Sequence, residues 1–196
     1  TVSLEVRFSA NYNGFGDRMS KEWDTLLMTD ETAYLTPSQV QSLIDKIPGQ
    51  PYNIITRLLW RTGARVSEIL LLRVIDINFT LKEITIKTLK KKRKDKKRPP
   101  RKVPLDDESL LLALSNYTKN MLPRDILFPK ISRHKVYYWI RKASREIGLE
   151  ELGEKSFMHP HILRHSFAIN WVKQGLPLKP LQQILGHSSL QMTGFY

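Results

Sequence analysis

Four of the five histidines in this 196-residue chain (His159, His161, His165 and His187) fall within the last forty residues, close to Arg164 and the terminal Tyr196. No carboxylate or cysteine joins them at a known metal-ligand spacing. His161 and His165 stand i and i+4 on one helix face, as two ligands would. However, Ile162 occupies the place where an H-E-x-x-H zinc protease keeps its glutamate. A cluster of Arg, His and Lys without carboxylates suits an anion. Its natural target is a phosphodiester, whose transition state gathers negative charge on non-bridging oxygens.

A second chemical signal is the distribution of charge. The chain carries 32 Lys+Arg against 19 Asp+Glu, a net +13, and residues 87–102 (KTLKKKRKDKKRPPRK) hold eleven of the basic residues and one Asp. The other 180 residues therefore carry only +3. Charge alone fits two readings of this tract: a solvated loop or localisation-like run, and a finger that contacts phosphates and releases condensed counterions.

The rest of the composition sets bounds. A chain of this length with 41% hydrophobic and 26% charged residues builds one domain with a genuine core, not a disordered or fibrous polymer. No apolar run approaches the roughly 20 residues that span a bilayer. Cysteine is absent, which excludes disulfides and thiolate sites and fits a cytoplasmic or nucleoid protein. Residue 1 is Thr and no signal-like segment follows, so the sequence reads as a piece of a longer protein.

The elements that must position the polar cluster can be traced along the chain. Residues 1–33 lack a clear period and carry Asn11, Asn13, Gly14 and Gly16, the pattern of a linker with a short strand. From Tyr34 the chain becomes globular. Thr36-Pro37-Ser38-Gln39 is a capping box with Pro at the first helical position, and Val40, Leu43, Ile44 and Ile47 follow at helical spacing. Ile54, Ile55, Leu58 and Leu59 mark a second helix ending near Gly63. A third starts around Arg65–Val66 and buries Ile69 and Leu70. After Asp76 the period becomes two: residues 83–87 alternate as a half-buried strand and residues 101–105 form its return partner. The basic run is then a hairpin tip. Helices resume with Leu110, Leu111, Leu114 and Tyr117, and again with Val136, Ile140, Ala143 and Ile147 before Gly148. Three short helices close the chain: one over about 161–174 with Gly175 at its C′ position, one ending at Gly186, and one over about 189–195. The fold class is mainly α with a small antiparallel sheet.

Three short motifs fall on these elements in order. Thr62-Gly63-Ala64-Arg65-Val66-Ser67-Glu68 resembles the first arginine box of the tyrosine recombinases, the phage integrase family. Pro160-His161-Ile162-Leu163-Arg164-His165 resembles its H-x-L-R-H box, and Leu185-Gly186-His187-Ser188-Ser189 its L-G-H-S box. Tyr196 lies nine residues beyond His187, where that family keeps its nucleophile. The resemblance covers residues 34–196 and implies that family's catalytic-domain fold. The Lys-rich, Cys-free composition points to an archaeal virus or plasmid as the source.

The resemblance implies roles position by position. Tyr196 attacks the scissile phosphate to give a 3′-phosphotyrosyl link, and a phenol with a pKa near 10 needs cationic neighbours or a base to do so. Arg65 and Arg164 clamp the non-bridging oxygens, which the guanidinium fork matches. His161 accepts the tyrosine proton and His187 donates to the phosphate. A hairpin lysine protonates the leaving 5′-oxygen: Lys90 by its place along the strand, with Lys91 and Lys92 as rivals. Glu68, one turn after Arg65, orients it. The remaining tract residues Arg93, Lys94, Lys96, Lys97, Arg98, Arg101 and Lys102, with Lys91 and Lys92, contact DNA. The implied partners are double-stranded DNA and, for the full-length protein, three further copies in a homotetramer. No membrane, metal or nucleotide cofactor is implied.

The family hairpin carries a short glycine-flanked lysine, whereas here the lysines stand in a long glycine-free tract. That departure leaves the acid open among Lys90, Lys91 and Lys92 and suggests a finger that orders on DNA. Blander readings attach to other residues. His165 is more simply a satisfied polar group near the core, His159 a turn residue before Pro160, and Phe167 and Trp171 core. Two other functions compete: DNA relaxation by a type IB topoisomerase, which shares nucleophile and fold, and a DNA-binding module without catalysis.

Overall fold

The computed structural model describes residues 34–89, 99–149, 158–187, 191, 193 and 194. Tyr196, the tract residues Lys90, Lys91, Lys92, Arg93, Lys94, Lys96, Lys97 and Arg98, and the segment 1–33 lie outside the described residues. So does most of the helix expected over 189–195, whose described positions are in turns.

The first helix, α1 (Pro37–Lys46), begins as its sequence dictates. The Gln39 amide donates to the Thr36 hydroxyl at 3.3 Å and the Thr36 amide to the Gln39 side chain at 2.9 Å, with Pro37 preset for the first turn. Val40, Leu43 and Ile44 are buried. Helix α2 (Tyr52–Thr62) buries a broad arc, Ile54, Ile55, Leu58 and Leu59 flanked by Thr56, Trp60 and Thr62, because it packs against both α1 and a later helix, α6 (Pro160–Lys173). It ends at Gly63 with φ +57°. A Cβ there would lie 2.6 Å from Phe167 Cδ1 and 2.8 Å from Leu185 Cδ2, so both the backbone sign and the packing demand glycine.

Helix α3 (Val66–Ile69) is a single turn. Ile69 is buried, but Leu70 lies past the helix end and is only half-buried; Leu72 fills the core instead. A 3₁₀ turn (Val74–Asp76) leads into a three-stranded antiparallel sheet, β1 (Ile77–Asn78), β2 (Glu83–Ile86) and β3 (Arg101–Pro104), in that order. Pairing of Ile84 with Val103 and of Ile86 with Arg101 confirms the expected return strand. It also sets the parity: Ile84, Ile86, Val103 and Arg101 share the buried face, while Lys102 faces outward. The two-residue β1 is an element that periodicity does not predict.

Helices α4 (Glu108–Thr118) and α5 (Arg133–Glu146) bury most of the residues their spacing predicts, Leu110, Leu111 and Leu114 in one and Val136, Ile140 and Ala143 in the other, while Tyr117 and Ile147 are only partly buried. Asp107 and Ser132 cap them. The chain closes with α6 and α7 (Leu178–Leu185). Leu163 is fully buried, and Phe167 and Trp171 are partly buried against the core. Among the described residues the fold is mainly helical with one small sheet, and Ala33–Tyr196 forms one compact unit.

Candidate active site

The site is assembled where several helix ends meet. Arg164 sits in the second turn of α6, is 6% exposed, and directs its guanidinium at two carbonyls. Nη1 donates to Gly63 O at 2.5 Å and Nη2 to Leu185 O at 2.8 Å. Those oxygens belong to the C-terminal ends of α2 and α7, which carry unsatisfied carbonyls and the negative pole of the helix dipole. A buried cation is therefore fixed in place by two helix termini. The two carbonyl oxygens accept from the guanidinium and fix its orientation.

Arg65 follows Gly63 by two residues and occupies the N-cap of α3. Its backbone N–H donates to Glu68 Oε2 at 3.0 Å, while its Nη1 is 3.5 Å from Glu68 Oε1. The Arg65 side chain is 26% exposed and Glu68 is fully enclosed. Burial pushes the Glu68 carboxyl up, but the hydrogen bond and charge of Arg101, with those of Arg65, outweigh it and hold the group below its ordinary value.

His161, in the first turn of α6, is depressed to a pKa of about 3 by burial first, then by the charges of His159, Arg164, Arg65 and His165. It is neutral at physiological pH. The bond from Arg164 to Gly63 O, two residues before Arg65, brings the first two motifs together. His159, read from sequence as a turn residue, is the N-cap of α6; its ring meets that of His161 edge-on at 6.0 Å. Burial pushes it down to about 4. His165 is likewise depressed to about 4, by burial and by His159 and Arg164.

His187 follows α7, whose Gly186 cap lets the His187 amide turn back to Gln182 O at 3.1 Å. Its Nδ1 lies 3.0 Å from the hydroxyl of Thr193, a fully buried residue. That contact ties the L-G-H motif to the segment leading toward Tyr196. No sequence signal points to Thr193.

One expectation is corrected. Arg101, counted from sequence among the DNA-contacting residues, is 8% exposed and turned into the protein. Its Nη2 is 2.6 Å from Glu68 Oε2, its Nη1 3.0 Å from the Thr88 hydroxyl, and its Nε donates to Ile184 O at 2.5 Å. The strand alternation was the available signal, since Arg101 shares parity with Val103 and Leu105. Lys102 is exposed, 2.7 Å from Glu83. Among the described residues no group of three or more His, Asp or Glu side chains is placed to hold a metal ion. No described helix is long and apolar enough to cross a membrane.

Residues 33–196 match the phage integrase family, and the chain belongs to it. A tyrosine recombinase of Pseudothermotoga lettingae is 35% identical over 169 residues, covering 83% of this chain and 55% of that protein. The chain thus spans about half the length of the curated relatives it matches. Among solved structures, a XerA recombinase superposes with a TM-score of 0.66 at 25% identity, covering 83% of this chain and 59% of that one. The Tn1549 transposon integrase, in complex with circular intermediate DNA, gives 0.64 at 26% identity, with 83% and 62% covered.

Proposed function

We propose that residues 34–196 are the catalytic domain of a site-specific DNA recombinase that cleaves and rejoins strands through a 3′-phosphotyrosyl intermediate. The observation that carries this reading is the Arg164 guanidinium, which donates to Gly63 O beside Arg65 and to Leu185 O beside Gly186 and His187, so that residues of all three motifs meet at one point. A phosphodiester entering there meets the Arg65 and Arg164 forks at its non-bridging oxygens. Its negative charge offsets the repulsion by Arg164 and Arg65 that adds to burial in depressing His161, so the ring becomes a better base as substrate binds. His161 then takes the Tyr196 proton as the phenolic oxygen attacks phosphorus. The bond to the 5′-oxygen breaks, and Lys90 (or Lys91 or Lys92) supplies the proton that oxygen needs. His187 donates to the phosphate. The phosphoryl bond energy is kept in the covalent link, so rejoining reverses the same steps without ATP. Double-stranded DNA at the nucleoid is the partner, four copies of the full-length protein acting together on it.

The direct test is covalent trapping. Nicked suicide duplexes, tiled across the DNA that flanks the encoding gene, are mixed with the chain and resolved under denaturing conditions. A DNA-linked protein band on one duplex supports the reading. Binding without any covalent band, on every duplex, favours a non-catalytic DNA-binding module.

A further inference from the structure

The guanidinium of Arg101 joins three segments that belong to different parts of the proposed reaction. Through Nη2 at 2.6 Å and Nη1 at 3.4 Å it grips both oxygens of Glu68, on the turn that begins with Arg65. Through Nη1 it also reaches Thr88, at the foot of the basic tract, at 3.0 Å. Through Nε it takes Ile184 O, the carbonyl immediately before the one Arg164 holds. Gly186 packs directly on it: a Cβ there would sit 3.4 Å from Arg101 Nη1 and 3.5 Å from the Thr88 hydroxyl.

We propose that Arg101 is a positioning residue for strand cleavage, which occupies Glu68 so that Arg65 keeps its guanidinium for the scissile phosphate. Glu68 is the pivot. Its side chain is fully enclosed, and the charged groups facing it among the described residues are Arg65, from its own helix, and Arg101, from β3. An enclosed carboxylate must have a close cationic partner or give up its charge. Arg101 is that partner, at 2.6 Å, which leaves Arg65 a long 3.5 Å contact and a partly exposed side chain. Without Arg101, the ionised Glu68 would draw Arg65 into a close bidentate pair. The phosphate would then lose half its clamp while the rest of the DNA interface stayed intact. The same guanidinium fixes the end of α7 beside Arg164, so two arginines register consecutive carbonyls of one helix.

This role rests on the recombinase reading, and one experiment separates the two. The 196-residue chain is compared with R101M, R101K, E68Q and the R101M/E68Q and R101K/E68Q doubles on the suicide duplex that the unaltered chain attacks. Three quantities are read: single-turnover rate of covalent attachment at saturating DNA, DNA affinity, and thermal midpoint. R101M and R101K should attach more slowly by between about tenfold and about a hundredfold, the cost of a misplaced clamp, with affinity changed by less than about threefold. Lys rescues poorly because one ammonium cannot reproduce the fork. The doubles should be faster than the corresponding singles, since a neutral Glu68→Gln no longer captures Arg65. A merely structural arginine would show no such second-site rescue. The proposal is overturned if the singles cleave like the unaltered chain, if affinity and rate fall together, if the doubles are no faster, or if neither single folds. Absence of attachment by the unaltered chain removes the recombinase reading itself, and this role with it.

Discussion

Replacing Gly63 by Ala puts a methyl group where the fold has no room and the backbone has the wrong sign for it. At φ +57° an L-residue costs about 1–2 kcal/mol. The new Cβ would lie 2.6 Å from Phe167 Cδ1 and 2.8 Å from Leu185 Cδ2, and overpacking of that kind costs about 1–3 kcal/mol. Together these give roughly 2–5 kcal/mol, or a fall in thermal midpoint of roughly 4–20 °C for a domain of this size. Gly148 is the control: its φ is +69° but no described residue lies within 4 Å of an added methyl, so Gly148→Ala carries the backbone cost alone, roughly 2–8 °C. Relief of the clash must move the α2 end away from Phe167 and Leu185, and Gly63 O is one of the two carbonyls that hold Arg164. Cleavage should therefore fall in Gly63→Ala even at temperatures where it is fully folded, and stay unchanged in Gly148→Ala. Scanning calorimetry and single-turnover trapping read the two effects. Equal midpoints for the two variants would refute the packing argument, and full cleavage in folded Gly63→Ala would refute its link to Arg164.

Three further outcomes follow from the same geometry. His161, His159 and His165 titrate below their unfolded value of 6.5, at about 3, 4 and 4, so the unfolded chain binds more protons and stability is lost as pH falls from about 6.5. Stability, followed by the thermal midpoint, should drop between pH 7.5 and pH 5 by up to about 1.4 kcal/mol per pH unit for each ring, and His161→Gln should flatten the dependence. Arg164→Lys, which cannot reach both Gly63 O and Leu185 O with a fork, should slow single-turnover cleavage by about a hundredfold or more while changing affinity far less; parallel losses would make it a simple phosphate anchor. In the basic tract, Lys90→Ala should block cleavage of a normal strand yet act on one with a 5′-bridging sulfur, which leaves without a proton. Neutralising four residues among 93–98 should flatten log affinity against log salt by up to roughly 3.6, whereas buried Arg101 should contribute nothing to that slope.

Much of the frame is legible in the sequence because its signals are local. The Thr36 capping box, the 3.6-residue spacing of α1, α2, α4 and α5, and the alternation of β2 each follow from neighbours in the chain. The motifs likewise announce Arg65, His161, Arg164 and His187 as types of residue. What escapes is set by tertiary contact. The β1 strand has two residues and no period to detect, and its existence depends on pairing with β2. Nothing near Thr193 marks it as the partner of His187. His159 looks like a residue before proline until α6 places its ring against that of His161. Arg101 is a different case. Its charge assigns it to the tract, while its parity with Val103 and Leu105 assigns it to the core. Parity prevails because Glu68 is there to receive it.

Whether Tyr196 attacks a phosphodiester held by Arg65 and Arg164 is tested most directly by the identity of the residue joined to DNA. The trapped complex is digested with protease and nuclease and the modified peptide sequenced by mass spectrometry. A nucleotide 3′-phosphate on Tyr196 is expected, with no covalent product from Tyr196→Phe although that variant still binds DNA. A nucleotide on any other residue, or a trapped complex that persists in Tyr196→Phe, would contradict it.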